Sequence, residues 1–136
     1  MPRSRCKTMP HISLVILAVA MSLVGCQDSP LAPFEPEVLN TVDSFELQAT
    51  NVAHVNTTLS YSWENTGTLA NVNQATVLSE GSATLVLRDA MGTTVYSKDL
   101  AENGTFSTSA GTPGTWTIQV QLSDCSGTLN FRSEKP

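Results

Sequence analysis

A chain of 136 residues with twelve acidic and seven basic side chains, net charge −5, has the length of one domain. Its acidity disfavours nucleic acid and anionic lipid headgroups as partners. Three cysteines and two histidines, scattered along the chain, fall short of a Cys/His zinc cluster.

The first eleven residues carry Arg3, Arg5 and Lys7 and no acid, and Ile12 to Val24 form an apolar run broken only by Ser13 and Ser22. Basic then apolar is the order of a signal peptide. As a helix the run spans about 20 Å, short of the roughly 30 Å of hydrocarbon a membrane-crossing segment must fill. It ends in Leu23-Val24-Gly25-Cys26. This stretch resembles the bacterial lipoprotein signal, which implies a signal peptide over 1–25, cleavage before Cys26, and a covalent lipid on the Cys26 thiol. Several acyl chains anchor far more firmly than one, because each buried methylene contributes about 0.8 kcal/mol. The resemblance further implies the envelope as location. Gln27, rather than an aspartate, directly follows the cysteine, which in a double-membraned cell implies transfer to the outer membrane. The ordinary alternative is a secreted protein cut near Gly25.

Past the cleavage point four basic residues (Arg88, Lys98, Arg132, Lys135) face all twelve acids, a net charge of −8 (4 − 12). Residues 26–41 contain Pro30, Pro33 and Pro36 with acids between them, and read as the lipidated cysteine and an extended tether. Phe34 and Leu39 could instead pack on the edge of the domain that follows, over 42–136, with the last few tether residues joining the fold.

That domain is rich in Thr, Ser, Asn, Val and Gly, and alternation dominates it. Phe45, Leu47 and Ala49 share one face; Thr57, Leu59, Tyr61 and Trp63 share the next. Asn65-Thr66-Gly67 reads as a turn. Between Leu69 and Leu78 alternation fails at Val72, Ala75 and Val77, which suggests a bulge or a bend between sheets. Glu80-Gly81 is expected to end that run before Ala83, Leu85 and Leu87 begin another. Asp89-Ala90-Met91-Gly92 is a four-residue turn, Thr93 to Asp99 the returning strand, and Asn103-Gly104 a turn before Phe106. Trp116, Ile118, Val120 and Leu122 form the most regular stripe. Asp124-Cys125-Ser126-Gly127 is expected to turn the chain into a final hairpin strand carrying Leu129 and Phe131. About seven to eight such strands describe an all-β fold, a two-sheet antiparallel β-sandwich. Its architecture is immunoglobulin-like in general terms, without the disulfide.

Chemistry-bearing residues are sparse. Cys6 and His11 lie in the leader and Cys26 at the lipid site, leaving Cys125 as a candidate reactive thiol and His54 as a lone loop or edge-strand histidine. A nucleophile needs a base that is itself oriented, which a single histidine does not supply. Asp89, Asp99 and Glu102 are a weak calcium alternative. Paired carboxylates among Asp43, Glu46, Glu64, Glu80, Asp89, Asp99, Glu102 and Asp124 are the residues a hydrolase would use. No phosphate loop or other cofactor motif is present in the sequence. Trp63, Tyr61 and Trp116 sit in apolar stripes and are expected in the core, whereas Tyr96, competing with Val95 for the inward side, is the leading candidate for a surface contact.

From Gly81 through Phe131 the chain is similar to small secreted bacterial sandwich domains, on Asp89-Ala90-Met91-Gly92, Val95-Tyr96, Gly114-Thr115-Trp116-Thr117-Ile118 and Ser126-Gly127-Thr128-Leu129-Asn130-Phe131. The resemblance brings no catalytic residue with it. The expectation is a non-enzymatic, membrane-anchored envelope module contacting protein or carbohydrate; the alternatives are a calcium-binding sandwich and a hydrolase using loop carboxylates.

Overall fold

The computed structural model describes residues 35–136; the leader, Cys26 and the tether up to Phe34 lie outside the described residues. Seven strands follow in order: Glu37–Thr41 (β1), Ser44–Asn65 (β2), Asn71–Gln74 (β3), Val77–Arg88 (β4), Thr94–Asp99 (β5), Gly104–Ser107 (β6) and Gly114–Glu134 (β7). Every pairing is antiparallel. The fold is an all-β sandwich.

Its frame is a pair of unusually long strands. β2 and β7 run together from Ser44 opposite Glu134 to Asn65 opposite Gly114. Along the other side of β7, β3 and β4 form a single broken path from Asn71 opposite Glu134 to Arg88 opposite Thr117. The break falls at Ala75 and Thr76, where Thr76 Oγ1 donates to the Asn130 carbonyl at 3.1 Å. The irregular pattern from Leu69 to Leu78 thus marks a real interruption. β1, β6 and β5 complete the edges against β2, β3 and β4.

These paths fold over. Phe45 and Tyr61 lie sixteen positions apart on the same strand and would stand about 53 Å apart in straight β-structure. Their ring centroids are 5.3 Å apart. The two ends of the frame meet at Asp43, which has φ 66°. Its N–H donates to the Glu64 carbonyl at 2.8 Å, and its carbonyl accepts from the Lys135 N–H at 3.0 Å.

The bend comes from extra residues. Ala49, Val52 and Val55 of β2 oppose Leu129, Gly127 and Cys125 of β7, so β2 holds one surplus residue in each interval. Asn51 at φ 58° and His54 at φ 49° supply the left-handed backbone there. β7 repays one between Leu122 and Cys125, with Asp124 at φ 46°. Each surplus residue reverses the in-out alternation and increases strand twist. The buried set of β7 accordingly passes from Trp116, Ile118, Val120 and Leu122 to Cys125, Leu129 and Phe131 without leaving the core. Two glycines let the strands approach closely. A Cβ on Gly81 (φ +73°) would stand 2.0 Å from the Asp124 carbonyl oxygen, and one on Gly127 (φ +137°) 2.2 Å from that of Val77.

Inside, Trp63 and Trp116 pack edge to face at 5.8 Å and Phe45 stacks on Phe131 at 5.8 Å. Such pairs add about 0.5–1.5 kcal/mol beyond their burial. Both indole N–H groups are satisfied, Trp63 by the Thr41 carbonyl at 3.1 Å and Trp116 by that of Thr112 at 2.8 Å.

Three sequence expectations are corrected. Asp124 to Gly127 does not reverse the chain: β7 continues through the bend as one strand, and Leu129 and Phe131 face Ala49 and Leu47 rather than Leu122 and Val120. Gly81 bends β4 instead of ending a strand. The segment expected to be tether through Thr41 enters the sheet at Glu37, where Val38 opposes Leu47. Leu39 on this strand remains 68 % exposed.

Candidate functional site

The bend gathers three polar side chains from three strands. His54 on β2 and Asp124 on β7 are themselves surplus, left-handed residues, and Glu80 on β4 directly precedes the left-handed Gly81. A bulge residue sits outside the ladder and can aim its side chain away from it. His54 Nδ1 lies 3.0 Å from Asp124 Oδ1 and 3.9 Å from Glu80 Oε2. One ligand-type atom from each residue lies within 4.8 Å of the others.

The backbone beneath is fixed. The His54 N–H donates to Ser126 Oγ at 2.9 Å and the Asp124 N–H to Asn56 Oδ1 at 2.8 Å. All three side chains are solvent-exposed. The hydrogen bond to Asp124, followed by the charges of Glu80 and Asp124, raises the His54 pKa above its ordinary value. An imidazole and two carboxylates with open positions form a donor set suited to a divalent cation.

In the sequence Glu80 and Asp124 are two among several candidate carboxylates and His54 is a lone histidine past the leader. For His54 the signal is the spacing of three from Ala49 to Val52 and from Val52 to Val55, which departs from alternation and encloses Asn51 and His54; Glu80 and Asp124 join it only through long-range strand pairing.

Tyr96 is not a surface contact. It lies opposite Leu87 on the inner face, is 7 % exposed, and donates its hydroxyl proton to Gln74 Oε1 at 2.5 Å. The Gln74 amide in turn donates to the carbonyls of Asp99 and Glu102 at 3.0 and 2.8 Å. Burial, with a smaller contribution from Glu102, pushes the Tyr96 phenol up to about 12.

Nor is Cys125 placed as a reactive thiol. It is fully buried and unpaired, and desolvation pushes its pKa up, away from the thiolate that reactivity needs. The weak metal alternative is not assembled, because Asp89, Asp99 and Glu102 do not form a ligating group among the described residues. Asp89 is instead committed to backbone: its carboxylate accepts from Met91, Thr93 and Thr112 N–H groups at 3.0, 2.8 and 2.8 Å. Those bonds, Thr112 foremost, hold its pKa below the ordinary value. Asp99 Oδ1 accepts from the Ala101 N–H at 2.8 Å. Cys26 lies outside the described residues.

A separate open depression lies between β1 and the end of β2, lined by Asn40, Thr41, Val42, Ser62, Trp63 and Glu64. It offers one carboxylate, Glu64, already accepting from Thr115 Oγ1. The paired acids of a glycosidase are not present in it.

No protein-family description matches this chain, and no curated protein matches it. Among solved structures it is similar to an arabinose-bound MgGH51 α-L-arabinofuranosidase, at 14 % identity and a TM-score of 0.32. The match covers 76 % of this chain and 23 % of that one. A likeness of that size carries no argument about activity.

Proposed function

We propose that the protein is a non-enzymatic lipoprotein of the bacterial envelope, a binding or structural accessory module held to a membrane through Cys26. The observation that carries this reading is the basic and apolar leader ending in Leu23-Val24-Gly25-Cys26. The first strand begins at Glu37, eleven residues after that cysteine. Eleven residues reach at most about 40 Å when fully extended, so such a tether keeps the domain close to the bilayer. Gln27 favours the outer membrane in a double-membraned cell. The acidic surface gives anionic headgroups nothing to attract, so the lipid does the anchoring.

The test is fractionation of bacterial cells expressing the full chain and fed labelled palmitate. The expected result is a labelled, membrane-bound protein, and an unlabelled Cys26→Ala variant. Equal solubility of both proteins would contradict the anchor. Proximity crosslinking of the intact lipoprotein in its own cell should then retrieve a reproducible envelope neighbour. Hydrolysis of a chromogenic glycoside that Glu80→Gln abolishes would overturn the non-enzymatic reading.

A further inference from the structure

The four basic residues that follow the leader are all engaged away from the bend. Arg88 Nη1 donates to Gln119 Oε1 at 2.7 Å, and Arg132 pairs with Glu46 at 3.0 Å. Lys135 pairs with Asp43 at 3.3 Å, and Lys98 Nζ lies 4.5 Å above the Phe106 ring. Glu80 and Asp124 therefore face each other across one imidazole, with no lysine or arginine in salt-bridge reach among the described residues. When that imidazole is neutral the cluster carries two uncompensated negative charges. Apart from the imidazole itself, no side-chain cation among the described residues offsets these two carboxylates.

We propose that His54, Glu80 and Asp124 form a binding site for a divalent transition-metal cation of the zinc type, with water completing the coordination shell. Ligands about 2.0 Å from a tetrahedral zinc stand about 3.3 Å from one another. The 3.0 and 3.9 Å separations from His54 Nδ1 bracket that edge, all three ligand atoms lie within 4.8 Å of one another, and the ion would take the place of the proton in the His54–Asp124 hydrogen bond. The imidazole selects zinc-type ions over calcium and magnesium, which take oxygen ligands. The three ligands come from three strands bent at one place, so the ion ties β2, β4 and β7 together where the sheet folds over. The site stands independently of the lipid anchor.

Isothermal titration of the full chain with zinc chloride, and separately with calcium chloride, tests this. The expected result is one zinc per chain with a dissociation constant in the micromolar range, at least about tenfold weaker in His54→Asn and in Glu80→Gln. Asparagine tolerates the left-handed backbone of residue 54, and thermal melting of the metal-free variants checks that the fold is kept. NMR of the wild type should show the His54 imidazole signals moving with zinc and not with calcium. Three results would overturn the proposal: no zinc binding up to millimolar concentration, zinc binding unchanged in both variants, or calcium binding as tight as zinc.

Discussion

Replacing Gly81 by alanine tests the bend directly. At φ +73° an L-residue carries a backbone cost of roughly 1–2 kcal/mol. The new Cβ would also meet the Asp124 carbonyl oxygen at 2.0 Å, where ordinary contact begins at 3.4 Å. β4 and β7 must part by more than 1 Å, an overpacking cost of about 1–3 kcal/mol. The expected loss is about 2–5 kcal/mol in all. Gly92 is the control: its φ is +85° but nothing lies within 4 Å of its added Cβ, so Gly92→Ala loses only the backbone cost of about 1–2 kcal/mol. For a domain of this size each kcal/mol moves Tm by about 4–8 °C. The backbone cost is shared, so thermal unfolding followed by circular dichroism should place Gly81→Ala at least about 4 °C below Gly92→Ala. Melting of the two within about 3 °C of each other would refute the close crossing of β4 and β7.

Two further substitutions probe polar groups. Ser133 Oγ is buried without a hydrogen-bond partner, so Ser133→Ala should be neutral or stabilise by up to about 1 kcal/mol in urea unfolding. A clear loss of stability would reveal a partner at that position. Asp89→Asn turns one carboxylate oxygen into a donor facing a backbone N–H and should lower Tm at neutral pH. Because the native pKa of Asp89 is depressed, its contribution is complete above about pH 4 and is lost as pH falls through the native value. The gap between wild type and variant should narrow in acid, and a gap independent of pH would contradict the assignment.

Strand faces were legible in the sequence wherever alternation held. Trp63 and Trp116 are core residues, as their stripes indicate, and so are Phe45, Leu85 and Ile118. Connectivity was less legible at the bend. Asp124 and Gly127 are residue types that serve a reversing turn or a bulge equally well, since both need positive φ. Only the opposition of Gly127 to Val52 and Leu78 decides between them, and those partners are distant in sequence. The same long-range pairing brings His54, Glu80 and Asp124 together, which composition and local spacing had kept apart. Val95 and Tyr96 are both buried, so competition for the inward side does not expose Tyr96. Tyr96 takes the inner face opposite Leu87, and the backbone of Val95 is bonded by Ser109 in the loop beyond β6.

The most direct measurement is the intact mass of the protein extracted from bacterial membranes. A species beginning at Cys26, with residues 26–136 and the added mass of a diacylglyceryl group on that cysteine, is the predicted result. An unmodified chain, or one cut elsewhere with a free Cys26 thiol, would contradict the reading of this protein as a membrane-held module.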